Sequence, residues 1–167
     1  MSNLDLLSFE VTLLLIGFII YFIKISLVEP YLYNMRILKT LLLDLIVISE
    51  LLDKDAFVLA SFDIWNEFKK SDVMLSLPDS LKNNIIWIYT RLYSRNQIGK
   101  IYFENLGINT RSAVKTKNGE MVELSIVLMR YAKEICEKIS STIEPLKKEI
   151  MKRQKNPYIR KIYTRLA

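Results

Sequence analysis

The acidic pairs Glu120/Glu123 and Glu134/Glu137 are the first residues to test for chemistry. Their E-x-x-E spacing puts both carboxylates of a pair on one face of a helix. A carboxylate-bridged dimetal centre would also need E-x-x-H motifs on neighbouring helices, and the 167 residues contain no histidine. The same absence excludes Ser-His-Asp and Cys-His catalysis, His-assisted zinc sites and imidazole pH switching within the chain. The glutamates then read as solvated acids balancing Lys133 and Lys138. Asp53-Lys54-Asp55 has too few spaced oxygen ligands for a calcium loop and lacks its glycine. There is no P-loop, dinucleotide fingerprint or G-x-S-x-G sequence. Cys136 is the single cysteine, so no disulfide forms within the chain, and its place beside an apolar stripe marks an inert, partly buried thiol. These residues lead us to expect no catalytic group, metal or cofactor, and no small-molecule substrate is evident.

Binding chemistry is more visible. Residues 147–167 hold eight Lys/Arg and one acid, a net +7, whereas 1–146 carries a net −1. Asn156 can cap a terminal helix with Pro157 at its first position; Ile159, Ile162, Tyr163 and Leu166 then share one face. Lys152, Arg153, Lys155, Arg160, Lys161 and Arg165 are the candidate contacts to an anionic surface. The same charges could neutralise nucleic-acid phosphates, and a frayed soluble tail is the plainer alternative. A second group, Arg91, Arg95, Lys100, Arg111, Lys115 and Lys117, gives a net +5 over 91–117, either an electropositive patch or a solvated helix end and loop. Trp65, Trp87 and the tyrosines suit base stacking by type, but their helical spacing favours packing.

Several elements must position these groups. Val11 to Ile23 is thirteen residues without a charge, and Lys24 alone interrupts the run to Val28. Eighteen helical residues span about 27 Å, close to the roughly 30 Å hydrocarbon layer if Lys24 reaches the headgroups. We therefore expect a transmembrane helix, with Val11, Leu14, Phe18, Tyr21 and Ile23 among its spanning residues. A cleaved signal peptide would want basic residues before the apolar run and an A-x-A-like site after it; neither occurs. A buried core helix is the other rival. Basic residues flank only the C-terminal side (Lys24, Arg36, Lys39), so the positive-inside rule puts the N-terminus outside and the body in the cytoplasm.

Beyond Pro30, the spacing of Tyr31, Met35, Leu38, Leu42 and Leu45 predicts a helix over 31–52, widened by Leu41, Ile48, Leu51 and Leu52 enough to meet two neighbours. Lys39, Asp44 and Glu50 argue against a second span there. A short helix is expected over 62–70, capped by Ser61 or Asp63, then an extended connector over 73–77. Pro78 opens a third helix with the stripe Leu81, Ile85, Ile88 and Leu92, ending before Gly107. Asn118-Gly119 is a hairpin signal, but a two-residue turn there sets Val114 against Glu123. A helix from about Asn118, with the stripe Met121, Leu124, Leu128, Tyr131, Ile135 and Ile139, is preferred, kinked or ended by Pro145. The fold class is thus all-α: an N-terminal transmembrane helix followed by a small helical bundle. The expected division is 1–29 tail and anchor, 30–146 helical cytoplasmic domain, and 147–167 basic amphipathic tail.

Trp65 and Phe68, the Leu75-x-Leu77-Pro78 connector and the Leu81…Tyr89…Leu92-Tyr93…Asn96 helix together cover about thirty residues. This stretch resembles a helix–connector–helix element of small single-span prokaryotic and phage-associated membrane proteins, themselves uncharacterised, with a helical cytoplasmic region. The resemblance implies that architecture and no activity.

The leading expectation is a non-enzymatic, membrane-anchored helical interaction module in the plasma or inner membrane, touching the lipid bilayer and a protein partner or a second copy of itself. A membrane-tethered nucleic-acid-binding or regulatory protein using the 91–117 patch and the tail is the second reading. An enzyme with an acid or tyrosine site is the third.

Overall fold

The computed structural model describes residues 3–54, 57–106, 113–115 and 121–155. The chain is all-α, with one minimal antiparallel ribbon. Helix α1 (Asn3–Ile23) leads through a π-helical turn (Lys24–Val28) directly into α2 (Glu29–Lys54). Pro30 reads in the sequence as the end of the anchor and the start of a second helix, but here the helix runs through it. Pro30 has no N–H, and its ring crowds the carbonyl four residues back, that of Ser26. The ladder widens just there: the Glu29 N–H donates to the Lys24 carbonyl, five residues back. One extra residue in the turn absorbs the proline, and the helix axis carries on.

Helix α2 buries Met35, Ile37, Leu38, Leu41, Leu45, Ile48 and Leu52, and packs on α6 (Leu124–Gln154), α3 (Asp63–Lys70) and α4 (Asp72–Ser76). The face is as wide as its sequence implied, but Ile37 joins the core while Leu51 is exposed. At α3 the Ser61 hydroxyl accepts the Asp63 N–H at 3.2 Å. The 73–77 connector is corrected: α4 is helical, its turn held by the Ser71 and Ser76 hydroxyls donating to the Phe68 and Val73 carbonyls. Helix α5 (Asp79–Leu106) starts after Pro78 as expected, with Leu81, Ile85, Ile88 and Leu92 all in the core, and Gly107, its expected end, lies outside the described residues.

Strands β1 (Ala113–Lys115) and β2 (Met121–Glu123) correct the helix expected from Asn118. The register pairs Ala113 with Glu123, Val114 with Val122 and Lys115 with Met121. The spacer is five residues rather than two, and that one-residue shift brings valine opposite valine. Helix α6 therefore starts at Leu124 and buries Leu124, Leu128, Ile135 and Ile139, while Tyr131 is half-buried. It runs through Pro145 without ending there, and Leu146 and Ile150 are buried beyond it. Residues 147–154 thus belong to the bundle, which moves the start of the expected tail. Asn156 onward, with Arg160, Lys161 and Arg165, lies outside the described residues, as do Arg111, Lys117 and Glu120.

Cross-links fix the directions of the helices. Tyr89 on α5 donates to Asp44 on α2, while Arg95 and Asn96 further along α5 hold the backbone of Val58 and Ala60. On α6, Cys136 faces Ser49 and Arg153 faces Tyr31. Helices α2 and α5 therefore run the same way and α6 runs back, ending beside the junction of α1 and α2.

Candidate functional site

The site is built from the apolar helix outward. The helical stretch Glu10–Lys54 contains an 18-residue window long and apolar enough to cross a membrane, and 0% of that window is buried. Val11, Leu14, Phe18 and Tyr21 are all exposed, Leu14 to 75%, and Ile23 is half-buried at the turn into the bundle. A Cβ added at Gly17 would meet nothing within 4 Å. Within α1 itself, Phe18 stacks on Phe22 one turn later.

The bundle begins three residues after Val28. The Tyr31 hydroxyl donates to the Arg153 carbonyl at 3.0 Å. The Arg153 guanidinium pairs with Glu149 at 2.8 Å and donates to the Ser76 hydroxyl at 3.1 Å and the Ser76 carbonyl at 2.9 Å. One arginine thus ties the starts of α2 and α5, through α4, to the end of α6. Arg153 belongs to this clamp, a correction to its reading as an anionic-surface contact. Lys152 and Lys155 beside it are exposed.

The second basic group is not a single patch. Arg95 is 0% exposed and donates to the Val58 carbonyl. Its burial removes it from any electropositive surface and makes it the support of the 57–60 segment. Arg91 stands over the rings of Trp87 and Tyr131, at 5.4 and 5.1 Å from their centroids, and lies 3.9 Å from Glu134. Stacking and the acid hold it on the α5–α6 seam. Lys100 is exposed. Lys115 sits in β1.

Among the described residues, two of the open clefts on the bundle bear on chemistry. One, of ≈ 400 Å³, is walled by Phe62, Trp65, Lys69, Tyr89 and Tyr93. Here Trp65 stacks on Tyr89 at 4.8 Å, which explains why the aromatic residues follow helical spacing. Burial pushes the Asp44 carboxyl above its usual range, against the opposing effect of the Tyr89 hydroxyl that it accepts. Burial, with the Asp44 charge, also pushes the Tyr89 phenol up. The pair is a neutral-favouring core contact that sequence reasoning missed, since Asp44 looked only like a break in an apolar run. The other cleft, of ≈ 680 Å³, runs between α2 and α6 past Leu52, Ala132 and Cys136. Burial raises the Cys136 thiol, which donates to the Ser49 carbonyl at 3.6 Å; a thiol held in this form is a poor nucleophile. Glu123 precedes α6 as its N-cap residue, and Glu137 lines the second cleft. Among the described residues no group of three or more Cys, Asp or Glu could hold a metal ion.

No family model, curated protein or solved structure matches this chain.

Proposed function

We propose that the protein is a single-span membrane protein whose helical bundle is presented in the cytoplasm as a non-enzymatic interaction module. One observation carries the reading. An apolar helix long enough to cross a bilayer is buried nowhere in the fold and is continuous with α2, the helix on which the bundle is built. Left in water it would expose Leu14, Leu15, Phe18, Ile19, Tyr21 and Phe22 together, far more contiguous apolar surface than a soluble monomer tolerates. A core helix in a soluble fold would be covered by its neighbours, and this one is not. The one-sided basic flank favours a cytoplasmic bundle. An exposed stripe on α2, Leu43, Val47 and Leu51 at four-residue steps, is available to a protein partner or a second copy.

The nucleic-acid reading loses Arg95 to the core and finds Arg91 and Arg153 engaged within the fold. Alkaline carbonate extraction of membranes tests the anchor. The full chain should stay in the membrane pellet, and a chain lacking 3–28 should move to the supernatant. Release of the full chain would defeat the reading.

A further inference from the structure

Continuity between α1 and α2 places one end of the bundle at a known height above the apolar run. Tyr31 lies three residues beyond Val28, a rise of about 4.5 Å along the helix. The headgroup layer on each side of a bilayer is roughly 5–8 Å thick. Whatever Tyr31 holds is therefore at headgroup depth. Through Arg153 it holds both the last turn of α6 and Ser76 at the end of α4.

The exposed side chains at that depth have a particular chemistry. Leu75 is 80% exposed, the highest value among the exposed large apolar side chains of the described residues, although its neighbours Val73 and Leu77 are buried. Met151 on α6 is 47% exposed. Lys152 and Lys155 are exposed on the same final turns. Apolar side chains beside lysines are what an anionic lipid surface accepts: the first enter the acyl boundary and the second meet the headgroups.

We propose that the α4–α6 junction is a second membrane contact. Leu75 and Met151 enter the interfacial layer of the leaflet from which α2 emerges, and Lys152 and Lys155 lie against its anionic headgroups. This rests on the membrane-spanning reading of α1. It makes the bundle a body docked on the bilayer in one orientation, with the ribbon end and Lys100 turned away from the lipid.

Spin labels on the full chain test it, in a Cys136→Ser background, in phosphatidylcholine vesicles containing phosphatidylglycerol. Labels are placed by Leu75→Cys, by Glu104→Cys at the far end of α5, and by Leu14→Cys within α1. Collision with oxygen and with a water-soluble nickel chelate is then measured. The label at 14 should be open to oxygen and closed to nickel. The label at 75 should share that sign, with less nickel access and more oxygen access than the label at 104. Changing Lys152 and Lys155 to Glu should return position 75 to the behaviour of 104 while leaving 14 unchanged. If 75 behaves like 104 from the start while 14 is protected, the second contact is overturned and the anchor stands. Low access to both reagents at 75, as under a protein cover, also overturns it. Nickel access at 14 overturns the anchor and this contact together.

Discussion

Ile85 shows how the core depends on single side chains. It is 0% exposed, one turn after Leu81 and one before Ile88 and Tyr89. Ile85→Asp would remove its packing and bury a carboxyl without a built partner, at about 4 kcal/mol or more. Domains of this size are stable by only about 5–15 kcal/mol. The full-length variant should show a sharply lowered melting temperature in circular dichroism; wild-type melting would mean the stripe of α5 is not where the core lies. Asp44 offers the opposite experiment. Burial raises its pKa above the ordinary 3.8, so the folded chain holds this proton where the unfolded chain has released it. Stability then falls as pH rises from 3.8 to the raised folded value. Above that window the charged carboxylate carries its full burial cost. Asp44→Asn keeps an acceptor for the Tyr89 hydroxyl and removes the charge, so it should melt higher at neutral pH and flatten the acid-side slope. Lower stability at neutral pH would show that the charged hydrogen bond outweighs burial. The apolar residues of this site were legible from their spacing, but the polar ones were not. Arg95 looks like one of six surface cations until the backbone of Val58 arrives over it, a contact 37 residues distant.

Elements were legible where hydrophobic period and punctuation agreed. Pro78 and the Leu81–Leu92 stripe marked the start and the buried face of α5. They were misread where a local rule was applied with the wrong spacing. Val73–Leu77 lacks a full helical period, so the single turn α4 emerges only from serine hydroxyls and from contact with α2 and α3. At the ribbon, the Asn118-Gly119 signal pointed correctly to a hairpin, and the assumption of a two-residue turn discarded it. Pro30 reads as a boundary between two helices and Pro145 as a kink or an end; neither ends its helix, and the first directly follows a π turn. The Arg153 clamp joins three of these elements. Arg153→Ala should cost about 1–2 kcal/mol, since two charge-assisted hydrogen bonds to Ser76 are lost from a partly exposed site. Hydrogen exchange should quicken at amides of 74–77 and 151–155 while the middle of α5 is unchanged. Unaltered exchange at both ends would mean that packing alone holds α4 to α6.

At the scale of the whole molecule, a helical stretch of 45 residues, Glu10–Lys54, serves as both apolar segment and bundle scaffold. The apolar part joins the bundle through continuous helix, and the bundle's height above the apolar run is set by residue count. The all-α class and the apolar helix could be read from the sequence, whereas this continuity could not, because Pro30 suggested that one helix ends and another begins. The proposed role requires that this helix cross the membrane once, with the bundle inside. Paired reporter fusions, an alkaline phosphatase active only outside and a fluorescent protein active only in the cytoplasm, placed after Pro30 and after Ala167, measure it most directly. With a cytoplasmic bundle, both positions should give fluorescence without phosphatase activity; phosphatase activity at either would contradict a single span with the bundle inside.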